Sequence, residues 1–470
     1  MTHAPNTPRD ERGAAANQPQ TPFTVGRPHP GRPVDQRCAE SSADLLSSQK
    51  EPVVQSPAPT TVIDSRSVVA LLSRLRSVAG QADPLPLYAS LREMGDVVPA
   101  PWGGFLVTGH HACDEVLRSP DWLALDRAWR ARQTDGSRWS TPSSRELEQT
   151  LVALNPPEHT RIRRSVNNIF DRGTLEALRP TVQRVADTLL DTLIEHAGDA
   201  HADFAELVGE QLPVATVGHW LGLPPEDFDL LRALTHAQAY AQELLPTKRQ
   251  LLAADDAIRG LREYFTALVA RRRADPGDDV ISGWLRAWDA LEPDRELADE
   301  NVYSLAMFVV IASLETTSTL LSTMIWTFDR HPAQRAWLRA HPAALANAVE
   351  EVFRYDPPIH VTTRYAGRDL LLGGIPITRG EVVHTMLGAA NHDPTLTPDA
   401  HAFDVTRRAR HISFGGGIHY CIGAGLARLE AGVLLEAVLR RLPALRVVAP
   451  PTWEPRLAFR RITRMPVSVR

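Results

Sequence analysis

The sequence predicts a mainly α fold with a small β part, and three observations carry that reading. Residues 298–330 hold one helical pattern, roughly 50 Å long at about 1.5 Å per residue. Helical periods recur over 157–171, 177–196, 205–221, 225–240 and 247–273. Strand-like runs are few and short: 103–108 (GGFLVT), and two β-rich stretches within 370–383 (LLLGGIPITRGEVV), broken by Gly and Pro like a hairpin.

The remaining elements follow in chain order. Residues 1–62 are rich in Pro, Gln, Ser, Thr and charge and show no period, which predicts a disordered tail. Residues 87–94 read as a short amphipathic helix with Pro86 at its entrance, where a missing N–H costs nothing. Residues 111–117 are helical again. The polar stretch 120–155 shows no clear period and is expected to be a long loop of the kind that often carries function. A helix over 342–355 should stop before Asp356-Pro357-Pro358, because proline cannot continue it. The last helix is expected to start just after Cys421 and run to about Leu442.

Composition narrows the function classes. The 470 residues are 43% hydrophobic and 23% charged; the mean hydropathy is -0.21 and the pI about 6.4. A net charge of -5 argues against a dedicated nucleic-acid binder, which normally carries a basic excess. The apolar run 305–314 is too short to span a bilayer and leads into Glu315, so no membrane segment is expected and the protein is read as cytoplasmic. The cysteines are Cys38, Cys113 and Cys421: too few for a disulfide framework or a four-cysteine cluster.

Cys421 lies in the run FGGGIHYCIGAGLA, residues 414–427. Gly415, Gly416 and Gly417 let the chain turn tightly and lie against a flat group. A cysteine at a helix entrance has backbone N–H groups and the positive helix end to favour its thiolate. A dinucleotide loop is the rival reading, but Arg428 fills its last small position and no buried strand precedes it. The other rival is a buried structural thiol. The whole pattern decides: FGGGIHYCIG resembles the haem-ligand signature of the cytochrome P450 family, with Phe414, Gly417, Cys421 and Gly423 in the family's places.

That resemblance covers roughly residues 80–470 and implies a haem-thiolate catalytic domain over 63–470. The implied fold sets a long central helix over the haem and the cysteine-ligand loop beneath it. Glu351 and Arg354, three apart on one helical face, would by spacing alone be an ordinary ion pair. Here they resemble the family's structural Glu-x-x-Arg pair, with Arg407 in the place of its second arginine. His159 and Arg163, in NPPEHTRIR, resemble the family's propionate-binding segment; alone they would read equally as a solvated basic face. Arg364 and His419 match further propionate contacts, and Phe414, Gly415 and Gly423 complete the cofactor cradle.

The long helix carries Ala312-Ser313-Leu314-Glu315-Thr316-Thr317, similar to the family's oxygen-activation motif, with Glu315 and Thr316 in the acid and alcohol places. Such a pair can relay protons during dioxygen activation. Ser313 stands where the family most often has Gly. It is expected to bond back to the carbonyl four residues earlier and preserve a local bend, or to crowd the oxygen site. Val309, Ala312, Ile359, His360, Val361 and Thr362 are the expected substrate contacts, together with the 120–155 stretch.

The resemblance further implies haem b as cofactor and oxidation of a small-molecule substrate, as in hydroxylation or epoxidation. NAD(P)H would be the indirect electron source, through a ferredoxin reductase and a ferredoxin. Arg164, Arg408, Arg410 and Arg428 are expected to form the basic docking face for that ferredoxin. The setting expected is a tailoring step in secondary metabolism. Oxidative coupling, peroxide-driven oxidation and a non-catalytic haem binder are the alternatives.

Overall fold

The longest helix, Arg295–Arg330, starts where Asp294 accepts the backbone N–H groups of Glu296 and Leu297. From Val302 onward nearly every face is buried, including a run of hydroxyl residues from Thr317 to Thr319. By length and composition it could cross a membrane, but 83% of its most apolar window is buried inside the protein. The computed structural model describes residues 64–134, 136–198 and 200–470; the expected tail, 1–62, and Cys38 lie outside them.

Around the long helix pack Gln211–Leu221, Phe228–Gln238, Lys248–Ala274, Val280–Leu291 and Ala424–Arg441. Local chemistry sets their ends. Thr247 and Gln250 form a reciprocal capping box at the start of Lys248–Ala274. Gln211–Leu221 closes on Gly222, left-handed at φ 68°. The stretch expected as one helix over 205–221 opens with a π-helical turn, Ala205–Gly209. The stretch expected over 177–196 begins at Arg172, capped by Asp171, and continues through Pro180.

Val280–Leu291 and Pro332–Ala340 are among the helices that were not foreseen. Val280–Leu291 buries Ile281, Trp284, Leu285 and Trp288 on one face. That spacing was present in the sequence, though shortened by the polar DPGDD segment before it. Pro332–Ala340 starts on a proline directly after the long helix ends and buries one residue, Leu338, so its pattern carries little signal.

The β part is a five-stranded sheet in the order Val97–Pro99, Phe105–Val107, Val382–Met386, Val361–Ala366, Trp122–Leu123. Phe105–Val107 and Val382–Met386 run parallel; the other neighbours are antiparallel. The expected hairpin is Leu370–Leu372 against Ile375–Ile377. It turns at Gly373 and Gly374, both at positive φ (55° and 80°). Residues from Val382 onward leave it for the larger sheet.

The expected 120–155 loop is corrected by the structure. It contains the edge strand Trp122–Leu123, the helices Arg127–Arg130 and Pro142–Leu147, and a 3-10 turn at Arg138–Ser140. Each helix is one turn or little more, too short to show a hydrophobic period, and each is started by a side-chain cap from Asp126 or Thr141.

Candidate active site

The cysteine loop is closed by the Cys421 N–H, which donates to the Phe414 carbonyl at 2.9 Å. Gly415 and Gly417 take φ of 70° and 60° to make that turn. A Cβ on Gly417 would stand 2.7 Å from the Leu117 carbonyl, and one on Gly416 would meet the Arg118 side chain at 3.1 Å. The close approach at these two glycines is therefore to the end of the helix His110–Arg118, not to a flat group. Gly415 and Gly423 are uncrowded: the nearest atoms are the His419 carbonyl at 3.8 Å and the Cys421 sulfur at 4.0 Å.

Cys421 is accessible only inward, on the wall of an internal cavity of about 350 Å³. Burial pushes its thiol pKa up, and the opposing N–H groups of Gly423 and Ala424 with Arg163 and Arg428 do not cancel that effect. The helix entrance alone therefore does not produce the thiolate; a bound cation must complete the deprotonation. Among the described residues no three His, Cys, Asp or Glu side chains converge on a bare metal ion. The iron would thus arrive in its own macrocycle, with the sulfur as its protein ligand.

Cationic groups gather beside the sulfur. Arg163, Arg364 and His419 line the same cavity. His159 lies directly behind, its ring 4.5 Å from that of His419. Both ring nitrogens of His159 and Nε2 of His419 are buried without a hydrogen-bond partner among the described residues. Burial, with Arg364, His159 and Arg163 beside it, drives the His419 pKa down to about 2. Burial lowers Arg364 to about 10, and its guanidinium reaches only its neighbour's carbonyl, that of Thr363, at 2.8 Å. No described acidic side chain forms an ion pair with Arg163 or Arg364. The two arginines call for an anion and the neutral imidazoles for a hydrogen-bond partner. A macrocycle bearing two carboxylates, with its iron facing Cys421, supplies what this site lacks; haem b fits these residues.

Opposite the sulfur, the long helix opens its Ala312, Ser313 and Thr316 side to the cavity. The Thr316 hydroxyl donates back to the Ala312 carbonyl at 2.6 Å. The back-bond expected of Ser313 is thus made by Thr316.

A match to the cytochrome P450 family model spans residues 256–444. The chain is 33% identical to the cytochrome P450 monooxygenase PikC of Streptomyces venezuelae, over 83% of this chain and 92% of PikC. It is 32% identical to 6-deoxyerythronolide B hydroxylase of Saccharopolyspora erythraea, over 84% of this chain and 98% of that protein. The fold is similar to the ligand-free crystal structure of Mycobacterium smegmatis CYP164A2, with a TM-score of 0.75 at 30% identity, covering 86% of this chain and 100% of that one. The chain belongs to the cytochrome P450 family.

Glu315 occupies an unexpected position for a P450 proton donor. It is buried, and Arg456 donates to its Oε1 at 2.6 Å while the His236 imidazole binds Oε2. Burial alone would raise its pKa, but Arg456 and His236 more than offset that and bring it down to about 2. In this arrangement Glu315 is an ion-paired carboxylate that also lines the cavity. Thr316 alone of the pair faces the cavity without an ionic partner. His236 and Arg456 were invisible to motif reading, since they lie far from Glu315 in sequence.

Glu351 and Arg354 form a fully buried bidentate pair, 2.7 and 2.8 Å. Arg354 also donates to the carbonyls of Ala400 and Ala402, and Arg407 Nε stands 3.5 Å from Glu351. This ties the helix Leu345–Tyr355 to the segment that leads into the cysteine loop, which agrees with a structural role.

Val309, Ala312, Ile359, Val361 and Thr362 line the cavity. His360 does not and is corrected: its side chain turns into the protein, bonded to Tyr88 and 3.6 Å from Asp356. Arg428 is also reassigned. It is bidentate to Glu350 at 2.5 and 2.9 Å and lies over the Phe414 ring, so its charge is already matched. Arg164, Arg408 and Arg410 remain exposed. One further buried acid escaped sequence reading: Glu430, on the helix after Cys421, which has the Thr216 hydroxyl as its one polar neighbour and no charged partner among the described residues. An acid within the apolar run LARLEAGVLL was the available signal.

Proposed function

We propose that this P450 inserts one oxygen atom into a small, mainly apolar organic substrate, by hydroxylation or epoxidation, as a tailoring step in secondary metabolism. The observation that carries the reading is one cavity with the Cys421 sulfur on one wall and Ala312 to Thr316 on the other, lined otherwise mostly by apolar side chains. The pathway setting rests on relatives such as the macrolide-precursor hydroxylase above. Haem b, held by Cys421 with its carboxylates toward His159, Arg163, Arg364 and His419, would supply reductive activation of dioxygen. The chain's own residues hold it, exclude bulk water, and present the Thr316 hydroxyl where a proton is needed. Electrons would come from NAD(P)H through a ferredoxin reductase and a ferredoxin that docks on a cytoplasmic P450 at Arg164, Arg408 and Arg410.

The test is the carbon monoxide spectrum of the reduced protein, followed by turnover under isotopically labelled dioxygen. A thiolate-type spectrum that disappears in Cys421→Ala, and label in the product, are expected. A thiolate-type spectrum that survives the substitution, or product without label, refutes the proposal. Unlabelled product would leave coupling or peroxide-driven oxidation, which the immobilised Glu315 already favours more than the motif alone does.

A further inference from the structure

Two arginines of the 120–155 segment stand on the cavity wall with no acid to match them. Arg138 donates through its terminal nitrogens to the carbonyls of Leu244 and Glu243, each at 2.5 Å, which leaves Nε buried and unpartnered. Arg130 donates through Nε to the Leu125 carbonyl at 2.8 Å, which leaves Nη1 buried and unpartnered. Their guanidinium carbons lie 4.3 and 5.3 Å from the centre of the Trp139 ring. Among the described residues neither arginine has an ion-pair partner.

Of the nearby carboxylates, Glu148 makes no ion pair with Arg130, and Glu243 and Asp126 are bonded elsewhere. Glu243 accepts the backbone N–H groups of Leu457, Ala458 and Leu244. Asp126 accepts from the Trp129 N–H and the Asn155 amide, each at 2.8 Å. Burial lowers both arginines, Arg138 to about 10, and neither comes near losing its proton at neutral pH. Glu148 and Asp126 lie within the field of Arg130 and Glu243 within that of Arg138, but none of them closes an ion pair, so two half-buried cations keep unpartnered nitrogens on a wall that includes the apolar Leu125, Leu147, Leu151 and Phe308.

We propose that Arg130 and Arg138 form an anion subsite within the substrate cavity, and that the substrate is an organic acid whose carboxylate docks there while its apolar body lies toward Cys421. The inference rests on this cavity being the monooxygenase's substrate site. A carboxylate is also carried by haem itself, so the two sources must be told apart. Propionate binding would make these arginines cofactor residues; substrate binding would make them specificity residues.

The experiment titrates the holoenzyme with dodecanoic acid and with methyl dodecanoate, following the spectral change as ligand displaces iron-bound water. The proteins compared are wild type, Arg130→Gln and Arg138→Gln; glutamine keeps a donor for the local carbonyl. The acid is expected to bind wild type at least about tenfold more tightly than the ester, and to lose about that factor in each variant while the ester is unchanged. Haem content and the carbon monoxide spectrum should stay as in wild type, which separates this result from failure of the haem-thiolate reading. Equal affinities for acid and ester, no binding of the acid, or loss of haem from the variants would each overturn the proposal.

Discussion

Glu430→Gln should flatten the stability of this P450 against pH, by an amount that follows from one buried carboxyl. Burial pushes Glu430 up to about 8 from an ordinary 4.5, and the Thr216 hydroxyl opposes this only in part. Below 4.5 both folded and unfolded chains hold the proton, so nothing is lost. Between 4.5 and 8 the unfolded chain releases it and the folded chain keeps it. Stability then falls by about 1.4 kcal/mol per pH unit, roughly 5 kcal/mol across the window. From pH 6 to pH 8 the loss is about 2.3 kcal/mol, because the folded carboxyl begins to ionise as its own pKa is reached. With an unfolding entropy of about 2.1 cal/mol/K per residue over roughly 400 residues, that is about 3 °C in melting temperature. The glutamine has no proton to release. Calorimetry of both holoenzymes at pH 6 and pH 8 should therefore show the wild type losing about 3 °C more than the variant. Parallel losses would refute the reasoning and mean that the carboxyl is already ionised or has found a partner.

Arg456→Gln removes the cation paired with the buried Glu315 and should cost about 3–5 kcal/mol in denaturant unfolding, while Glu454 keeps Arg461; an unchanged midpoint would show that His236 suffices. Joint reversal of Arg164, Arg408 and Arg410 to Glu should raise the KM for ferredoxin strongly at low salt and little at high salt. Arg428→Glu, by contrast, should chiefly lower stability, since it faces Glu350; a reduction defect with unchanged melting would restore Arg428 to the docking face.

What the sequence showed well was whatever depends on neighbours in the chain. The cysteine loop, the Glu351–Arg354 pair and the long helix are each set by spacings of a few residues, and each stands where the pattern puts it. The 120–155 stretch was illegible for the opposite reason. Its turns of helix are too short to show a period, and they are held by distant contacts: Arg138 on the carbonyls of residues 241–244, and Trp129 on that of Gly380. His360 reads with its neighbours as one stretch after the proline pair, and its bond to the distant Tyr88 is not visible in the sequence.

Charge partners mark the same boundary within the site. Motif reading found Glu315 but not that Arg456 and His236 hold it. It found the cations beside Cys421 by resemblance, and the structure gives an independent reason for them: buried nitrogens with nothing to bind. The same physical criterion, applied to the rest of the cavity wall, selects Arg130 and Arg138, which no motif marks. Unpartnered buried nitrogens beside Cys421 fit the haem carboxylates, and those of Arg130 and Arg138 on the same cavity wall, with no acid in ion-pair contact, are the ground on which a substrate anion is proposed.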